Sequence, residues 1–77
     1  MLKLITAIPC PFCTYVIDFI NENNITSVEI YDTCWNKDEH LELKEKYGKT
    51  QVPLLLIDGK PLYESADIID YLDKNAR

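Results

Sequence analysis

Apolar residues recur along this chain in two periods. Leu2, Leu4 and Ile5 make a short apolar run that closes at Thr6 and predicts a buried strand. Phe12, Val16, Phe19 and Ile20 then stand at i, i+4, i+7 and i+8, the spacing of one helix face. Asn21-Glu22-Asn23-Asn24 ends that helix with polar, helix-breaking residues. From Ser27 to Asp32 the order SVEIYD alternates apolar and polar, as a strand does. Asn36 opens an N-x-x-E spacing with Glu39, a capping box for a helix reaching about Tyr47, and Gly48 is placed to end it. Asp38, Glu39, Glu42, Lys44, Glu45 and Lys46 give that helix a well-solvated face. PLLLID, Pro53 to Asp58, predicts a third strand, and Asp58-Gly59 is a strong hairpin signal. KPLYE returns as a short strand. Ser65 then caps a last helix with Ile68, Ile69 and Leu72 inside.

The order is β-α-β-α-β-β-α, an α/β class. Alternation of strands and helices implies a parallel pair first, and the hairpin adds an antiparallel one. A four-stranded mixed sheet covered by three helices follows, a thioredoxin-like fold, in one domain over residues 1–77. At 47% apolar and 27% charged the chain can form a core, although 77 residues is near the lower limit for doing so unaided. A net charge of −5 argues against nucleic acid, which needs a basic patch to release counterions. The start, MLKLITAIPC, is too short an apolar run for a signal peptide, and no stretch is long enough for a membrane span. A cytoplasmic, monomeric protein is expected. Three cysteines cannot all pair within one chain, which weakens a structural disulfide framework.

Cys10-Pro11-Phe12-Cys13 is the candidate chemistry. A zinc site commonly takes four Cys or His ligands, and beyond this pair the chain offers only Cys34 and His40. His40 lies among charged neighbours and reads as a solvated surface residue, so no metal is expected within one chain. A redox centre has a mechanism. Exchange needs a thiolate, and the dipole and free N–H groups of a helix N-terminus favour one. Cys10 stands just before the helical pattern, and Pro11 suits the first helical position. Cys10 is therefore expected to be exposed and to attack, and Cys13, one turn in, to be buried and to resolve. Val52-Pro53, at the start of the third strand, is a candidate cis bond whose Val52 backbone would face the cysteines and pair with an extended peptide.

CPFC, TQVP and YESADIIDYL together resemble glutaredoxin across essentially the whole chain, with Phe12 where the usual motif has tyrosine. The last of these is similar to the glutathione-transferase N-terminal domain too. The resemblance implies a glutathione-dependent thiol–disulfide oxidoreductase. Glutathione would be co-substrate, no cofactor would be tightly bound, and disulfide or glutathionylated proteins would be substrates. It implies that Cys10, Phe12, Val52, Pro53, Glu64, Ser65 and Asp67 bind glutathione, with Glu64, Ser65 and Asp67 on its γ-glutamyl group. A helix start at Ser65 suits that carboxylate, and Glu64 or Asp67 the ammonium beside it. The same three residues could instead serve only the helix end. Many glutaredoxins carry a lysine three residues before the first cysteine, on the glycine carboxylate of glutathione. Here that position is Ala7, with Lys37 and Lys49 as possible substitutes.

Other readings stay open. A redoxin reduced by a flavoprotein reductase would share this motif. Two chains could share an iron–sulfur cluster through Cys10, although Pro11 stiffens the ligand loop. A glutathione-transferase-type domain could act as a binding unit, since the all-helical partner domain of that architecture is not in the sequence. A glutaredoxin would have a reduction potential of roughly −200 to −230 mV. Cys34 reads as a part-buried small residue or a regulatory thiol, and Trp35 as groove lining or sheet-edge cover. Tyr15 reads as helix surface, and Tyr63 as packing near the last helix.

Overall fold

The computed structural model describes residues 2–76; Met1 and Arg77, the ends of the expected domain, lie outside it. Its elements are β1 (Leu2–Thr6), α1 (Pro11–Glu22), β2 (Val28–Asp32), α2 (Lys37–Tyr47), β3 (Leu54–Ile57), β4 (Lys60–Leu62) and α3 (Ser65–Asn75). The sheet order is β2-β1-β3-β4. β1 runs parallel to β2 and antiparallel to β3, with Leu4 opposite both Ile30 and Leu55, and β4 returns antiparallel on β3. This is the thioredoxin-like fold, with the strand directions the element order demands.

Period-two alternation sorts the strand residues onto two faces. Leu4 and Leu55 point to one side, where Val16 and Ile20 of α1 and Ile68 and Leu72 of α3 close over them with Ile25. That is the core. Lys3, Ile5, Tyr31 and Leu56 face α2 across a cavity of about 300 Å³ that Glu39, Glu42, Leu43 and Tyr47 help to line. α2 buries none of its residues, as its charge-rich sequence requires. It is held at its ends instead. Tyr31 Oη donates to Glu39, His40 Nε2 bonds Thr33 Oγ1 at 2.8 Å, and Tyr63 Oη donates to the Tyr47 carbonyl at 3.2 Å.

Two local expectations change here. Phe12 is 63% exposed, and the inner face of α1 is Cys13, Val16 and Ile20. Phe12 lies in the first turn, where its ring borders a cavity with Val52 and Pro53 instead of entering the core. His40 is half-buried against Thr33 and stacked on Trp35 at 5.5 Å, where a solvated residue was expected. Tyr63 reaches back to the end of α2, where its hydroxyl finds a carbonyl, while Lys49 Nζ covers its ring at 4.9 Å. The turn and caps form as their residue types dictate. Asp58 and Gly59 have φ of 50° and 87°, the paired left-handed geometry of a tight hairpin. Asn36 accepts the Glu39 N–H at 3.0 Å, and Gly48 ends α2 at φ 83°.

Candidate active site

β1 runs out at Thr6, and the chain turns through Ala7, Ile8 and Pro9 to deliver Cys10 as the N-cap of α1. Pro11 at the first helical position needs no N–H partner. The Cys10 carbonyl accepts the Thr14 N–H at 3.0 Å, the first bond of the helix. Its Sγ accepts the Cys13 N–H at 3.3 Å, filling the place usually taken by a capping oxygen. A donor so placed interacts more strongly with a charged sulfur than with a neutral one. Cys10 is half-buried, less open than the motif alone suggested, because its sulfur folds back over that first turn.

Cys13 is completely buried. Burial pushes its thiol up to about 12 from an ordinary 9.0, with the neighbouring Cys10 adding to the rise and the Ala7 backbone bond opposing it. All three cysteines are free thiols. The Cys13 shift has a consequence for stability. The folded state holds this proton more tightly than the unfolded chain, so its contribution is intact below pH 9 and is lost as pH rises through about 12. In denaturant titrations between these values, stability is expected to fall on the order of 1.4 kcal/mol per pH unit more steeply in the native sequence than in Cys13→Ala. Equal slopes would show that Cys13 ionises freely.

Beside this turn lies a cavity of about 110 Å³ lined by Phe12, Gln51, Val52, Pro53, Glu64 and Ser65. It joins three distant parts of the chain: the start of α1, the approach to β3 and the start of α3. Val52-Pro53 is a cis bond, as is Ile8-Pro9. Glu64, not Ser65, is the N-cap of α3. The Ile68 N–H bonds the Glu64 carbonyl at 3.0 Å, and Ser65 already has helical geometry. Glu64 takes φ 66°, a left-handed backbone rare outside glycine, which turns the chain sharply from β4 into α3. No described side chain caps this helix, so its first N–H groups are left to other partners. The Glu64 carboxylate accepts from Gln51 Nε2 at 3.2 Å.

The structure thus gathers Phe12, Val52, Pro53, Glu64 and Ser65 around one cavity, with Cys10 two residues from its Phe12 wall. Asp67 is exposed on the first turn of α3, outside the lining. Gln51 was missed by sequence reasoning, although its place before Val52-Pro53 marked it. Ala7 is fully buried. Lys49 is engaged on the Tyr63 ring. Cys34 is exposed in a left-handed turn, where a part-buried residue was one expectation. Its thiol is pushed up by Asp32, whose carboxylate oxygen lies 3.5 Å from the sulfur. Among the described residues no three His, Cys, Asp or Glu side chains cluster as metal ligands would, and no helix is long and apolar enough to cross a membrane.

Residues 4–77 match the family model for the glutathione S-transferase N-terminal domain. The chain is 39% identical over 64 residues to dichloromethane dehalogenase of Methylophilus leisingeri, covering 80% of this chain and 24% of that protein. A diazinon-metabolizing glutathione S-transferase of the silkworm Bombyx mori superposes with a TM-score of 0.82 at 22% identity, over 100% of this chain and 38% of that one. The holo form of glutaredoxin C1 from Populus tremula x tremuloides shares the fold as well, with a TM-score of 0.72 at 17% identity, over 96% of this chain and 75% of that one. The chain therefore spans about a quarter of the curated relative. The weight of the resemblance read from CPFC moves accordingly, from glutaredoxin towards the transferase domain. By the match over residues 4–77, this chain belongs to the glutathione S-transferase N-terminal domain family.

Proposed function

We propose that this domain binds glutathione and uses Cys10 for thiol–disulfide exchange with glutathione disulfide or glutathionylated proteins, in the reducing setting of the cytoplasm. The observation that carries the reading is the Cys13 N–H donated to Cys10 Sγ at the start of α1. The family match supports glutathione as the ligand. The small cavity suits its γ-glutamyl end, with the Ser65 hydroxyl and the uncapped N–H groups of α3 for the carboxylate. Glu64, held by Gln51, and Asp67 supply negative charge for the ammonium. The Val52 backbone pairs with the tripeptide, and Phe12 and Pro53 form apolar walls.

The Cys10 thiolate attacks one sulfur of the disulfide. That S–S bond breaks, its electron pair leaves on the departing sulfur, and Cys10 carries the mixed disulfide. A second glutathione thiolate then attacks the glutathione sulfur, releasing Cys10 and glutathione disulfide. In the slower branch Cys13 gives its proton to solvent, attacks Cys10 and expels glutathione, and two more glutathione molecules reduce the resulting Cys10–Cys13 disulfide. With the Cys13 thiol held up near 12, its thiolate is about a thousandfold scarcer than that of an ordinary cysteine at neutral pH. The branch through external glutathione is therefore favoured.

Family membership favours a second reading, in which the domain presents the glutathione thiol to an electrophile such as an organic halide. One experiment separates the readings. The protein is incubated with glutathione disulfide across redox ratios, and the adduct is located by peptide mass spectrometry. A glutathione adduct on Cys10, cleared by free glutathione, is the expected outcome. Conjugation of glutathione to an aryl halide without any adduct would select the transferase reading. Absence of an adduct at every ratio, with reduction by a flavoprotein reductase, would select the redoxin reading.

A further inference from the structure

The loop that carries Cys10 into place is short and open to solvent. Ile8 is 38% exposed and Pro9 is exposed as well. A long-range polar contact holds it: the Ile8 N–H is donated to Asp32 Oδ1 at 3.0 Å, across 24 residues of sequence. Asp32 is the last residue of β2 and lies opposite Thr6, the last residue of β1. Its carboxylate therefore stands at the common end of the two parallel strands, where the chain leaves for Cys10.

The same Oδ1 accepts the Cys34 N–H at 3.0 Å, so one oxygen ties the β1–α1 loop to the β2–α2 loop. These two N–H groups hold the Asp32 carboxyl below its ordinary range, Cys34 contributing more than Ile8. Both bonds are thus made to a charged acceptor, the stronger kind. Thr33 knits the same strand ends, donating its N–H at 2.8 Å and its hydroxyl at 3.0 Å to the Thr6 carbonyl. Beyond β1 the Ala7 backbone bonds the Cys13 thiol, and Ile8, two residues before Cys10, is tied by a side chain from β2.

We propose that Asp32 is a positioning residue of the thiol centre: by accepting the Ile8 N–H it fixes the loop that delivers Cys10 to the start of α1. For its effect on activity this rests on Cys10 being the reacting thiol; the clamp itself does not. A small displacement of a reacting atom is expensive, because exchange requires the attacking sulfur in line with the disulfide.

Two substitutions test the clamp. Asp32→Asn keeps Oδ1 for both N–H groups while removing the charge. Asp32→Ser keeps an oxygen for the nearby Cys34 N–H but is too short to reach Ile8, so it preserves the local turn and cuts only the long-range bond. Hydrogen exchange of the Ile8 amide and the rate of glutathione-disulfide attack by Cys10 are measured in both. In Asp32→Ser, Ile8 exchange is expected to quicken about tenfold and kcat to fall about tenfold, with KM within about twofold. In Asp32→Asn both rates are expected to stay within about threefold of the native protein. Unchanged Ile8 exchange in Asp32→Ser overturns the proposal. So does an Asn variant as slow as the Ser variant, which would assign the effect to charge. If native Cys10 does not react with glutathione disulfide at all, the proposed function fails, and Ile8 exchange alone still decides the clamp.

Discussion

Cys10→Ser is expected to abolish exchange with glutathione mixed disulfides, a loss of about a thousandfold or more, since a neutral hydroxyl neither attacks sulfur nor leaves as readily as a thiolate. The fold is expected to survive the change, because serine is among the preferred N-cap residues and can accept the Cys13 N–H in place of the sulfur. Cys13 cannot take over. It is fully buried, and its thiol is pushed up to about 12, so attack from that position lacks both access and charge. Cys13→Ser should accordingly keep most of the turnover of glutathione mixed disulfides while losing the reduction of protein disulfides that needs a second intrachain thiol. A coupled assay that follows glutathione disulfide release reads both variants. Equal loss in the two would refute the division of labour, and full activity in Cys10→Ser would remove Cys10 from the chemistry altogether.

Leu55→Ala is expected to destabilise the domain by about 2–5 kcal/mol, from lost transfer energy plus the cavity left behind. Leu55 is fully buried on β3, an interior strand paired on both sides, opposite Leu4 on β1 and Leu62 on β4. It belongs to one core cluster with Val16 and Ile20 of α1 and Ile68 and Leu72 of α3, so a cavity there is shared between two helices. A domain of this size has a total stability of roughly 4–12 kcal/mol, and a loss on that scale would leave the variant marginal at physiological temperature. Urea denaturation measures it. Leu41→Ala is the control, because Leu41 is 56% exposed on α2 and should change stability by less than about 0.5 kcal/mol. A cost below about 1 kcal/mol for Leu55→Ala would place the core elsewhere.

Much of the architecture was legible in the chain because it depends on neighbours. The three helices and the Asp58-Gly59 hairpin follow from periodicity, caps and turn residues acting within a few positions. Asn36 caps Glu39, Gly48 ends α2, and Cys10-Pro11 opens α1, each through a bond or a backbone angle available locally. Where the expectation slipped, a tertiary contact intervened. Phe12 fits the apolar period of α1, but its ring stays exposed and borders a cavity instead of joining the core. Ser65 has the composition of a cap, yet the reversal from β4 into α3 forces Glu64 into that role at φ 66°.

By itself, then, the sequence determined the order of elements, the mixed sheet and the cysteine that begins α1. These are set by side-chain period and by hydrogen bonds spanning three or four residues. Only the tertiary structure decided which groups share the site. Gln51 meets Glu64 across 13 residues, and Asp32 meets Ile8 across 24, through polar contacts that no local pattern encodes. It also decided the unequal chemistry of two cysteines three residues apart. That inequality comes from burial, which belongs to the packing of α1 on the sheet and not to the motif.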